Sequence, residues 1–206
     1  DAPTAAQLAA WIDAQTTRSG DTFAPIQAQP EQSVAPASLM QQRVWFLEQF
    51  EPGRLTYNTP SAHRLKGPLD AAALERSFNE MIRRQASLRT SFSDEDGVPL
   101  QRIAPELRVS LTPLEDLSTL PPPERESRLM HLLQQRVAQL IDLRQAPLFK
   151  VGLYKLAKEE HVLFFMPHHI IWDGWSFDLF YEEMAALYGA FSQGREPGLA
   201  PLAVAL

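Results

Sequence analysis

One segment constrains the fold more than any other. The apolar run Val162-Leu163-Phe164-Phe165-Met166-Pro167 ends in His168-His169 and passes through Ile170-Ile171-Trp172-Asp173-Gly174. An unbroken apolar run of this length reads as a buried strand. The residues after Gly174 carry a helical pattern, so the two histidines fall at a strand-to-helix corner. Adjacent strand residues point to opposite faces. One of His168 and His169 must therefore face the interior and the other an open side, so one is structural and one is free to react. Loops mounted on a rigid scaffold are common places for reacting groups.

The chain has 206 residues, enough for one sizeable domain or one domain plus a tail. Its net charge of −6 argues against nucleic acid as a partner, because phosphate binding needs a basic face. No stretch approaches the roughly 20 apolar residues of a membrane span. There is no cysteine, which removes disulfides, thiolate metal sites and cysteine nucleophiles and fits a reducing compartment. The first residue is Asp1, and the loop-like Ser192 to Gly198 leads into Leu199 to Leu206. Both ends suggest a segment of a longer protein.

Residues 4–14 read as a short helix capped by Thr4, with Leu8, Trp11 and Ile12 as its apolar stripe. Residues 15–36, with Pro25, Pro30 and Pro36, read as a linker. Ser38 and Gln41 fit a capping box, and Met40, Val44, Leu47 and Phe50 follow at helical spacing until Pro52-Gly53. An extended segment is expected over Tyr57 to Leu65. Asp70 caps a second helix with Leu69 and Leu74 as a staple and Leu74, Phe78, Met81 and Ile82 as the buried stripe. Short extended pieces follow near 89–93, 99–103 and 107–112, with a hairpin turn at Asp96-Gly97. A third helix runs from Pro121 to about Leu140 with Leu129, Leu133, Val137 and Leu140 in register. Strands at Leu148–Leu156 and His161–Met166 precede a last helix over Trp175–Phe191. The mixture implies an α/β sandwich, a mixed sheet covered by helices.

The residues of the corner admit several chemistries. Asp173 fits a helix N-cap, with Gly174 easing the turn. His161, His168, His169 and Asp173 lie close in sequence. Neighbouring histidines on opposite faces share one ion poorly, and no His-x3-His or cysteine pair is present, so no metal is expected. Ser176 lies nearby without a G-x-S-x-G elbow. An imidazole titrating near 6.5 suits general-base work on an incoming nucleophile.

His168-His169-x-x-x-Asp173-Gly174, followed by Trp175-Ser176, resembles the active-site motif of condensation domains of nonribosomal peptide synthetases. Ser38-Leu39-Met40-Gln41-Gln42-Arg43-Val44-Trp45-Phe46-Leu47 resembles that family's first core motif. Arg84-Gln85-Ala86-Ser87-Leu88-Arg89-Thr90-Ser91-Phe92 resembles its second, with Gln85-Ala86 where His-Glu is usual. Ile141-Asp142-Leu143 with Pro147-Leu148 matches the approach to the active site. The three motifs fall in order over about residues 37–206.

The resemblance implies a fold like chloramphenicol acetyltransferase and the N-terminal lobe of a two-lobed domain. That lobe would occupy 37–195, with 196–206 opening the connection to the missing C-terminal lobe. Residues 1–14 resemble the last helix of an upstream carrier domain. The implied reaction is peptide-bond-forming acyl transfer in antibiotic or secondary metabolism: the amine of an acceptor aminoacyl thioester attacks a donor acyl thioester. No cofactor would be bound directly. Both substrates would arrive on phosphopantetheine arms, from an upstream donor carrier and a downstream acceptor carrier, in the cytoplasm.

By resemblance His169 is the reactive imidazole and His168 is structural. Asp173 would pair with an arginine, and Arg84 or Arg89, or a residue of the missing lobe, could be that partner. The Gly174 amide could donate to an oxyanion or simply permit the turn. Trp172 is a core tryptophan or narrows the channel, and Trp172, Trp175 and Ser176 are the candidate substrate-binding residues. The isolated lobe is expected to fold but to be weakly active or inactive. Three other functions share the fold: a CoA-dependent acyltransferase, a non-catalytic recruitment module and an epimerisation domain.

Overall fold

A computed structural model describes residues 4–16, 32–111 and 113–202. Helix α1 (Ala5–Thr16) begins at Thr4, whose hydroxyl accepts from the Gln7 amide at 3.3 Å. The elements that follow are β1 (Val34–Pro36), α2 (Leu39–Phe50), β2 (Ser61–Lys66), α3 (Ala71–Arg84), β3 (Thr90–Glu95), β4 (Val98–Ile103) and β5 (Pro113–Asp116). Then come α4 (Pro122–Val137), β6 (Phe149–Ala157), β7 (Glu160–Pro167) and α5 (Gly174–Phe191). Among the described residues no helix is long and apolar enough to cross a membrane.

The α/β character expected from the sequence is present, but the strands form two sheets. One is antiparallel with order β1-β4-β3, and the other has order β2-β7-β6-β5, with β5 parallel to β6. The four-stranded sheet is mixed and explains the apolar run. Phe165 packs with α3 and α5, through Phe78 and Phe180. Val162, Phe164 and Met166 pack on the opposite side with Leu129 of α4. A strand buried on both faces has no polar positions to alternate.

The helices start where their side chains can satisfy free amides. Ser38 and Gln41 form the expected capping box, and Asp70 accepts from the Ala73 amide at 2.9 Å. The stripe of α3 is buried as expected: Leu74, Phe78, Met81 and Ile82. The stripe read on α2 is not. Met40 and Phe50 are exposed, and Trp45 is the residue that α2 buries. At the β3–β4 turn Asp96 and Gly97 both have positive φ, 51° and 81°, which matches the right-handed twist of a two-residue hairpin.

Two extended segments differ from the sequence reading. Within the segment read as a linker, residues 17–31 lie outside the described residues, while Val34–Pro36 pair with Arg102, Gln101 and Leu100 of β4. Three residues carry no periodicity of their own, so only the open edge of β4 defines this strand. Residues 107–111 form no strand. The Val109 amide and carbonyl bond Asn79, at 2.9 Å each, and the Leu111 amide donates to Glu75 at 2.7 Å. Side chains of α3 thus replace a sheet ladder there.

Candidate active site

Strand β7 delivers the corner. The His168 amide donates to Leu148 O at 2.9 Å and the His169 amide to Tyr57 O at 2.7 Å. His168 is 3% exposed and His169 is exposed, so the two rings do part to opposite environments. Burial, with the neighbouring His169, pushes the His168 pKa down to about 4. His168 is therefore neutral at pH 7. Its Nδ1 accepts the Ile170 amide at 3.2 Å, which leaves the proton on Nε2.

His169 is tied differently. Its Nδ1 bonds the Trp172 carbonyl. A carbonyl only accepts, so Nδ1 carries the proton and Nε2 keeps a free lone pair. The turn that brings Trp172 O to this position is closed by the Ile171 amide donating to His168 O at 3.1 Å.

Asp173 caps α5. Its Oδ1 accepts from the Ser176 amide at 2.8 Å and the Ser176 hydroxyl at 2.6 Å, and the Asp173 amide returns a bond to Ser176 Oγ. These bonds, with the hydroxyl's first, hold the carboxyl below its usual range. The expected pairing of Asp173 with Arg84 or Arg89 is not found. Arg84 donates to Ala200 O at 2.9 Å and lies 3.5 Å from Glu183, while Arg89 donates to Ala104 O at 2.6 Å. The reason is local: the first turn of α5 needs acceptors for its amides, and a cap three residues away meets that need without a remote partner.

Gly174 opens α5. Its φ lies outside the left-handed region, and a Cβ built there would meet nothing within 4 Å. The turn therefore does not require glycine. Trp172 is 7% exposed and packs edge-on to Phe165, Phe177 and Phe180, with its Nε1 buried and without a hydrogen-bond partner. Trp175 is 75% exposed.

These parts meet at a cleft of about 630 Å³. Met40, Gln41, Val44 and Leu47 of α2 form one wall, and Gln85 to Leu88 form another. His169, Trp172, Asp173 and Ser176 line a third side. Three segments far apart in sequence thus converge, including the Gln85-Ala86 pair. Arg84, Arg89 and Trp175 do not line the cleft.

Two neighbours of the corner were not singled out from the sequence. Tyr57 lines the cleft and sets its ring 6.0 Å from that of His168. Glu48 places Oε1 3.6 Å from His168 Nε2. Glu48 follows Trp45 by one helical turn. A carboxyl on the buried side of a helix is the sign that could have found it, because such a group needs a partner.

Residues 31–203 match the Condensation domain family. The chain belongs to that family. It is 39% identical to part of the linear gramicidin synthase of Brevibacillus parabrevis, over 98% of this chain and 3% of that protein. It is 40% identical to chondramide synthase cmdD of Chondromyces crocatus, over 84% of this chain and 4% of that protein.

Among solved structures it resembles the X-domain in complex with OxyB from teicoplanin biosynthesis. The TM-score is 0.76 at 33% identity, over 90% of this chain and 39% of the other. It also resembles the starter condensation domain of rhizomide synthetase RzmA. There the TM-score is 0.74 at 25% identity, over 84% of this chain and 43% of the other. The chain therefore corresponds to part of a condensation domain, about one lobe, and to a few per cent of the curated synthetases it matches.

Proposed function

We propose that this lobe supplies the reactive imidazole of a peptide-bond-forming condensation domain. The observation that carries the reading is the His169 ring. Its Nδ1 proton is held by Trp172 O, and its basic Nε2 is left at a cleft where all three family motifs meet. The acceptor α-amine attacks the carbonyl carbon of the donor thioester. The C–N bond forms, the tetrahedral intermediate collapses, and the donor thiol leaves as the amine loses its proton. An α-amine has a pKa near 8, so part of it is already neutral at pH 7. His169 Nε2 then orients the amine and accepts its proton as the bond forms. The Gly174 amide, in the first turn of α5, is the candidate donor to the developing oxyanion. Trp172 acts from behind, as a wall of the aromatic cluster, while Ser176 serves the Asp173 cap.

In this reading donor and acceptor arrive on phosphopantetheine arms of carrier domains, in the cytoplasm. A second lobe completes the cleft, and this lobe alone has little activity. The likeness to the teicoplanin X-domain, solved with OxyB, favours a second reading as a recruitment module.

The two readings separate in one experiment. The native downstream sequence is restored, flanking carriers are loaded with donor and acceptor, and transfer is followed by intact-protein mass. Amide product that His169→Ala abolishes supports condensation. A folded two-lobed protein that transfers nothing between correctly loaded carriers would sink it and favour recruitment. Transfer from acyl-CoA in place of the loaded donor carrier would point to a CoA-dependent acyltransferase.

A further inference from the structure

Glu48 stands on the third turn of α2, on the same side as Trp45, and its side chain is only 13% exposed. Its Oε1 is buried and has no hydrogen-bond partner. The polar atom opposite is His168 Nε2, at 3.6 Å. That separation is a contact, and closing it by roughly 0.6 Å would make a full hydrogen bond. His168 in turn has its other nitrogen committed, because Nδ1 accepts the Ile170 amide. The Nε2 proton therefore points at the carboxyl, which must offer a lone pair rather than a proton. A buried donor and a buried acceptor that face each other and nothing else each stand to lose their desolvation cost if separated.

We infer that Glu48 is a positioning residue for His169, acting through the His168 ring and the turn that follows it. The chain of contacts is continuous. Glu48 fixes the tautomer and plane of His168. His168 holds the Ile170 amide and, through its own carbonyl, the Ile171 amide. That turn sets Trp172 O, which holds the Nδ1 proton of His169. A carboxyl–imidazole contact that selects a tautomer is a general way to orient a working histidine. Here the oriented imidazole is neighbour to the working one. Helix α2 is well placed to serve as the anchor: Gln41 bonds Gln101 of β4 at 3.2 Å, and Gln42 bonds Ala37 O at 2.9 Å. The first family motif thus reaches the corner through one buried side chain. The inference rests on the reading of His169 as the reactive imidazole.

The test uses the restored two-lobed protein with loaded carriers. Glu48→Leu should lower the turnover number for amide formation at least tenfold while KM for the loaded carriers stays within threefold. Glu48→Gln, which can still accept from Nε2–H, should keep most of the rate. Histidine nitrogen NMR, assigned with single-histidine variants, should show His168 as the Nε2–H tautomer in wild type and Glu48→Gln. In Glu48→Leu it should show a mixture. Wild-type His168 protonated on Nδ1 would overturn the inference whatever the variants do, even if Glu48→Leu fails to fold. So would a folded Glu48→Leu with turnover within twofold of wild type. Full activity in His169→Ala would instead overturn the catalytic reading, and with it the rate prediction. The His168 nitrogen signature separates that failure from a failure of the Glu48 contact.

Discussion

Helices α2 and α3 begin alike and end up with opposite fates. Each has a side-chain cap at its start, and each carries apolar residues at helical spacing. The stripe of α3 is buried between α5 and the four-stranded sheet, with Phe78 fully buried. Helix α2 buries Trp45 alone and leaves Leu39, Met40, Phe46 and Phe50 at 64–83% exposure. Periodicity locates both helices, but what covers a stripe is decided by topology. Helix α3 has its partners within the chain, whereas α2 lies at the rim of the His169 cleft, with Met40 in the wall.

Truncating a ring on α3 should expose the difference between the two helices most strongly. Phe78 packs against Phe149, Phe165 and Phe180. Phe78→Ala should cost about 3–5 kcal/mol in urea unfolding, through lost burial and the cavity left behind.

The corner between the helices should show next in its pH dependence. His168 titrates near 6.5 when unfolded and near 4 when folded. Its contribution is complete above about pH 6.5 and is lost as pH falls toward 4, because the unfolded chain binds the proton first. The size is about 3 kcal/mol. Glu48 on α2 is pushed up by burial and adds an opposing slope. The measure is therefore a difference: wild type should lose more stability than His168→Gln between pH 7 and pH 4.5.

Ser38→Ala on α2 and Asp70→Ala on α3 should each cost about 1 kcal/mol in the same unfolding assay, since both remove a bond to a first-turn amide. Equal costs would show that the helices differ in their faces, not their starts. The smallest effect belongs to Phe50→Ala. At 71% exposure it should change stability by less than about 0.5 kcal/mol. A loss approaching that of Phe78→Ala would mean that the α2 face is covered in solution.

Features set by neighbouring residues were legible in the sequence. They include the caps at Ser38 and Asp70, the Asp96-Gly97 turn, the β6–β7 pair and the opposed environments of His168 and His169. Features set by distant neighbours were not. Strand β1 exists only because β4 offers an edge, and residues 107–111 stay out of a sheet because Glu75 and Asn79 take their backbone groups. Asp173 shows the reverse error. An arginine partner was sought at long range, while the Asp-x-x-Ser spacing already supplied Ser176. Glu48 stayed hidden because its partner lies 120 residues away, and nothing in α2 points to it except the buried side on which it sits.

The strand order β2-β7-β6-β5 also sets an order of events in time. Strands β6 and β7 are joined by a two-residue turn and can pair within microseconds, as hairpins do. Strand β2 must return across about a hundred residues to reach β7, as its Ser61 bond to Phe165 O shows. Closing a loop that long carries an entropic cost before any pairing compensates it, so β2 should dock late. Until it does, the most apolar strand of the chain has one edge bare. Nascent or refolding protein is then most prone to stick to other copies, edge to edge, along Val162 to Met166.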